Sequence, residues 1–123
     1  MYKSMDNEFL NSLVLLNQES NGALLGAMIR TYCSVWPDYI QRLRHSFHEQ
    51  DAPSLSANAA SFRTLVGSFG ATKLMAILTQ IENAATTQDW HLTNKHMQNM
   101  KRELCQFQED IESMRYLYFL KAA

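Results

Sequence analysis

Residues 97–118, MQNMKRELCQFQEDIESMRYLY, decide the fold. Met97, Met100, Leu104, Phe107, Ile111, Met114 and Tyr118 are separated by steps that alternate between three and four. At about 3.6 residues per turn such a row stays on one side of an α-helix, and a continuous apolar seam requires a core to lie against. The carboxylates Glu109, Asp110 and Glu112 fall between the seam positions and are expected on the solvent side, with Glu112 and Arg115 spaced for an ion pair.

The chain upstream of this helix repeats the same period in shorter pieces. Residues 5–16 put Phe9, Leu13 and Leu16 at helical spacing; Leu24, Leu25, Met28, Ile29 and Tyr32 group next, and Trp36, Ile40, Leu43 and Phe47 follow by steps of four, three and four. Gly22, Pro37, Pro53, Gly67 and Gly70 stand where breaks are expected, so the sequence predicts separate helices before and after Trp36-Pro37. Asp51 or Ser54 supplies an N-cap for a helix that buries Leu55, Ala59, Phe62, Val66 and Phe69. After Gly70 another helix carries Leu74, Ile77, Leu78 and Ile81, and residues 83–90, NAATTQDW, read as a connection. Strand-type alternation is absent. The expected fold is therefore all-α: an antiparallel four-helix bundle with short N-terminal helical additions and a long C-terminal helix, forming one domain over residues 1–123 with its core at about 20–110.

Composition narrows the function classes. An apolar fraction of 46% supports a core, and a net charge of −1 leaves no basic field for a phosphate backbone, so nucleic acid is not an expected partner. No apolar run reaches the roughly 18 to 20 residues needed to cross a bilayer, and the opening MYKSMDNEFLNS lacks a signal-peptide pattern. These features predict a cytoplasmic protein without a membrane partner. Cys33 and Cys105, with no CxxC spacing, are expected as free thiols buried as small hydrophobes.

One stretch resists the bland reading. Residues 56–74, SANAASFRTLVGSFGATKL, carry only Arg63 and Lys73 as charged side chains. At about 100° per residue, Ala60 points roughly 150° away from the arc of Leu55, Phe62, Val66 and Phe69. Around it on the outward arc lie Ser56, Ala57, Arg63, Thr64 and Gly67, with Ser61, Ser68 and Ala71 at the margins. A solvated helix face ordinarily carries long charged side chains, because they favour helix and remain hydrated. Small residues here imply either a close helix crossing or a docking surface for another protein.

The segment AASFRTLVGSFGATKL resembles the signature of histidine-containing phosphotransfer (Hpt) domains of two-component phosphorelays. Ala59, Ser61, Phe62, Phe69, Gly70, Ala71 and Leu74 match the pattern, and Arg63 keeps the positive charge usually supplied by lysine. The resemblance extends upstream through LLGAMIRTYCSVWPDYIQRLRHSFHEQD, which looks like the family's helix pair, and downstream to LMAILTQIENA, covering roughly residues 20–110. Two positions depart from it. Ala60 stands where the family has its phosphoryl-accepting histidine, and Thr64 where a glycine usually follows the lysine. A methyl group has no lone pair with which to attack an aspartyl phosphate, so phosphotransfer through this position is excluded. A single His-to-Ala change is what a phospho-dead variant carries; two departures together favour drift to another use.

The resemblance implies a non-enzymatic, non-phosphorylatable adaptor. Its partner would be the receiver domain of a response regulator or hybrid histidine kinase, or a sensor kinase, bound through Ala57, Ala60, Ser61, Arg63, Thr64, Gly67 and Ser68. Arg63 would be the charged anchor, and no cofactor or metal is called for. Two alternatives stand beside it. The apolar C-terminal run Tyr116, Leu117, Tyr118, Phe119 and Leu120 packs against Phe9, Leu13 and Leu16, or else marks a dimerisation or partner surface. The other is an active phosphotransfer protein using His45 or His48, three apart on one helix, whereas His91 and His96 are spaced poorly for a shared face.

Overall fold

The computed structural model describes residues 2–19 and 23–116. Five helices follow in order: α1 (Asn7–Glu19), α2 (Ala23–His48), α3 (Ala52–Gly67), α4 (Thr72–Thr86) and α5 (Trp90–Arg115). Among the described residues there is no strand.

Short connections at 49–51, 68–71 and 87–89 turn each helix back on its predecessor. Gln50 and Gln88 take the left-handed conformation (φ 52° and 57°) that lets the chain reverse within three residues. Asp51 then caps α3, accepting from the Ser54 amide at 3.2 Å and the Ser54 hydroxyl at 2.8 Å, while Asp89 caps α5 through the Leu92 amide at 3.1 Å.

Ring contacts fix the directions of the helices. Tyr32 of α2, Phe69 after α3 and Phe107 of α5 meet edge-on, with centroids 5.2 to 6.0 Å apart. At the opposite end Phe47 of α2 lies 6.4 Å from Trp90 of α5. Hence α2 and α5 run antiparallel. The α3 row Leu55, Ala59, Phe62 and Val66 is fully buried, and each of its large side chains contributes about 1.5–3 kcal/mol by leaving water. Met97, Met100, Phe107, Ile111 and Met114 of the α5 seam are buried, Leu104 half-buried. Tyr118, Leu117, Phe119 and Leu120 lie outside the described residues. The tightest pairings are α3 with α4 and α4 with α5; of the helix pairs in contact, α2 and α5 pack least closely.

Several details depart from the sequence reading. Pro37 ends no helix: α2, 26 residues in all, runs through it to His48. Pro37 is exposed while Tyr32, Ile40 and Leu43 are buried, so the Cys33 carbonyl that loses its amide donor is close to solvent and core burial holds the helix together. The expected connection at 83–90 shrinks to 87–89, because Ala84 and Ala85 are buried and keep α4 helical to Thr86. Cys105 is exposed and Cys33 half-buried, both unpaired, so neither is a fully buried hydrophobe.

In α1 the buried face is Leu10, Leu13 and Asn17, whereas Phe9 and Leu16 are 41% and 50% exposed. The helix is rotated from the expected Phe9/Leu13/Leu16 orientation by its anchors at one end of the bundle. The Asp6 amide donates to the Gly70 carbonyl at 2.7 Å, and the Asn17 side-chain oxygen accepts from the Leu25 amide at 2.9 Å.

Asp110 is likewise not on the solvent side. It is 6% exposed and accepts from the Ser4 amide at 3.0 Å, the Ser4 hydroxyl, and Gln106 at 3.1 Å. A buried carboxylate persists when donors replace its water, and Ser4 and Gln106 do so here. Glu112 and Arg115 form the expected ion pair at 3.4 Å.

Candidate functional site

The outward arc of α3 resolves into two parallel rows. Ser56, Ala60, Arg63 and Gly67 are half-buried along the side facing α4, and Ala57, Ser61, Thr64 and Ser68 are exposed. Both rows follow from steps of three and four on one helix. Close helix packing explains the first row. Gly67 lets the terminal methyl of Met75 approach to 3.2 Å of where a Cβ would stand. Among the described residues nothing covers the second row, and its small side chains are exposed.

Side-chain bonding makes that row smoother than its sequence suggests. The Thr64 hydroxyl donates to the Ala60 carbonyl at 3.2 Å, and the Ser68 hydroxyl donates to the Leu65 carbonyl at 2.6 Å. With these two hydroxyl hydrogens turned back onto their own helix, the row offers carbon and hydroxyl lone pairs, with the Ser61 hydroxyl as its side-chain donor. A partner backbone approaching here meets no long side chain.

Beside the rows, α3 and α4 enclose a groove of about 450 Å3 lined by Ala52, Pro53, Ser56, Ala57 and Ala60 from α3 and by Glu82 and Thr86 from α4. Ala60 sits in its wall, and a methyl there supplies shape but no nucleophile. Arg63 donates to Thr79 at 3.1 Å and to Glu82, tying α3 to α4. The pair remains about a third open to water, with side-chain exposures of 32% and 26%. Arg63 is therefore a neutralised cation, and any partner that takes its charge must displace Glu82.

Sequence alone does not mark Thr79 and Glu82 as partners of Arg63. Their spacing of three on α4, one turn apart on a single face, was the available signal. The structure brings the seven sequence-selected positions onto one side of α3, divided between the α4 margin and open solvent.

The histidines form no centre with these residues. His45 and His48 are exposed on α2, and His91 is exposed on α5. The Nδ1 of His96 is buried without a hydrogen-bond partner. Among the described residues no group of three or more His, Cys, Asp or Glu is placed to hold a metal ion. No helix among them is long and apolar enough to cross a membrane. In comparisons with known proteins, no family, no curated protein and no solved structure matches the chain.

Proposed function

We propose that this chain is a docking adaptor of a two-component phosphorelay: a pseudo-Hpt bundle, with α2 to α5 as its four helices, that binds a receiver domain or sensor kinase and modulates it without carrying phosphate. The supporting observation is the exposed row Ala57, Ser61, Thr64 and Ser68, where a solvated helix would carry long charged side chains. Ala60 beside it has no atom that can accept a phosphoryl group, which makes binding, and competition with true phosphotransfer proteins, the activity left to this face.

The test is affinity for a panel of isolated receiver domains from response regulators and hybrid kinases. Ala57→Arg and Ser61→Arg place bulk on exposed positions and are expected to weaken binding at least tenfold with unchanged thermal stability, because interfaces depend on a few central positions. Arg63→Glu alone would set two carboxylates against each other; paired with Glu82→Arg it changes the surface field while keeping the tie between α3 and α4. Receivers that bind the wild type and these variants equally would overturn the reading.

A second reading has its own observation. On α1, Phe9, Leu15 and Leu16 are 41%, 63% and 50% exposed, and Tyr116 at the end of α5 is 62% exposed. Such apolar area suits self-association. Light scattering on the full chain and on Leu15→Glu decides it: a dimer that Leu15→Glu dissociates, with no receiver binding, replaces the adaptor with a dimerisation module.

A further inference from the structure

A different face carries a second binding chemistry. Of the helix pairs in contact α2 and α5 pack least closely, and a cleft opens between them, about 380 Å3 in volume and lined by Ile40 and Phe47 of α2 and by Met97, Met100 and Leu104 of α5. Its rim is Arg44 and Lys101, with Asn94 and Gln98, and no carboxylate lines it. Both cations are exposed, and neither has a carboxylate partner among the described residues. The cleft continues through Arg44 and Phe47 onto an outer α2 surface lined by Arg42, His45, His48 and Asp38, with Asp51 near His45. In a chain of net charge −1 this is a local excess of positive charge around an apolar floor.

We infer that the α2/α5 cleft is a docking groove for an amphipathic helix with acidic flanks, presented by a partner protein. Charge complementarity selects the acid: a helix flanked by lysines would set its charges against Arg44 and Lys101, while glutamates would pair with cations that have no carboxylate partner among the described residues. The dimensions select the helix. The lining positions on α5 span residues 94–104, about 15 Å of helix, which matches apolar anchors at i, i+4 and i+7 on an incoming segment. Met97 and Met100 give the floor unbranched side chains that adjust to the anchors they receive. The groove lies across the bundle from the α3/α4 face, so its occupancy is independent of the adaptor reading.

The probe is a labelled 15-residue helical peptide with leucines at i, i+4 and i+7 and glutamates flanking them, titrated against the full chain by fluorescence anisotropy. A matched peptide with lysines replacing the glutamates is the control. The acidic peptide is expected to bind at least tenfold more tightly, with NMR shifts at Phe47, Asn94 and Leu104. Arg44→Glu with Lys101→Glu, both on exposed positions, is expected to invert the preference while circular dichroism stays unchanged, and Ala57→Arg to leave it intact. No binding of the acidic peptide, equal binding of both, an unaltered preference in the double variant, or shifts confined to α3 and α4 would each overturn the inference. So would sedimentation showing a dimer of the chain alone that the double variant dissociates, since the occupant would then be a second copy.

Discussion

At the scale of single residues, burial and hydrogen bonding predict opposite consequences for side chains of similar appearance. Tyr32 is wholly buried within the ring cluster, and its hydroxyl, beside Gln108, has no hydrogen bond of good geometry. Burial pushes its phenol well above the ordinary value. Tyr32→Phe keeps the edge-on contacts and removes an unpaired polar group, so chemical denaturation should show stability unchanged or raised by up to about 1 kcal/mol. Tyr32→Ala should cost about 3–5 kcal/mol through the cavity it leaves. Asp51 behaves differently because it is bonded at a helix start. The Ser54 hydroxyl and then the Ser54 amide hold its carboxyl below the usual range. A depressed folded value means that its contribution is complete above the unfolded value of about 3.9 and is lost as pH falls through the lower folded one. Thermal unfolding between pH 7 and 2.5 should show this acid limb reduced in Asp51→Asn, which caps the helix without titrating.

At the scale of elements, α1 depends on the turn between α3 and α4. Gly70 has φ +69°, and a Cβ there would stand 2.7 Å from the Phe9 ring. Gly70→Ala should therefore destabilise by about 1–3 kcal/mol, from backbone strain and crowding together. Adding Phe9→Ala should recover the crowding part alone, which a double-mutant cycle measures. The same helix shows where periodicity is ambiguous. Leu10 and Leu13 compete with Phe9, Leu15 and Leu16 to be its apolar face, and the anchors at Asp6 and Asn17 choose between them. Less ambiguity exists in α3 and α5, where one row of alternating steps contains most of the large apolar residues: the predicted α3 core is the observed one, and of the α5 seam Met97, Met100, Phe107, Ile111 and Met114 are buried, with Leu104 half-buried. Pro37 misleads for a related reason: local preference argues for a break, and the buried rows on either side of it are continuous.

At the scale of the molecule, one contact joins distant parts of the sequence. Ser4 and Asp110 are 106 residues apart, and a carboxylate between Glu109 and Ile111 carries no local mark of burial. That tie, like the Arg63–Glu82 pair, becomes visible only when helices are placed side by side, whereas the outward arc of α3 is legible from spacing, though not its division into two rows. Asp110→Ala should cost about 1–3 kcal/mol, since the Ser4 amide loses its acceptor in a buried setting. Hydrogen exchange should accelerate in residues 4–19 and remain slow in α3 and α4. The tie also orders events during translation. A chain still on the ribosome can pair α1 with α2, α3 with α4, and Asp6 with Gly70 as each emerges, yet Ser4 waits for Asp110 until the last turns of α5 have left the exit tunnel. The residues just ahead of α1 are thus secured after α1 itself, and for that interval Met5, buried in the finished fold, is open to chaperones.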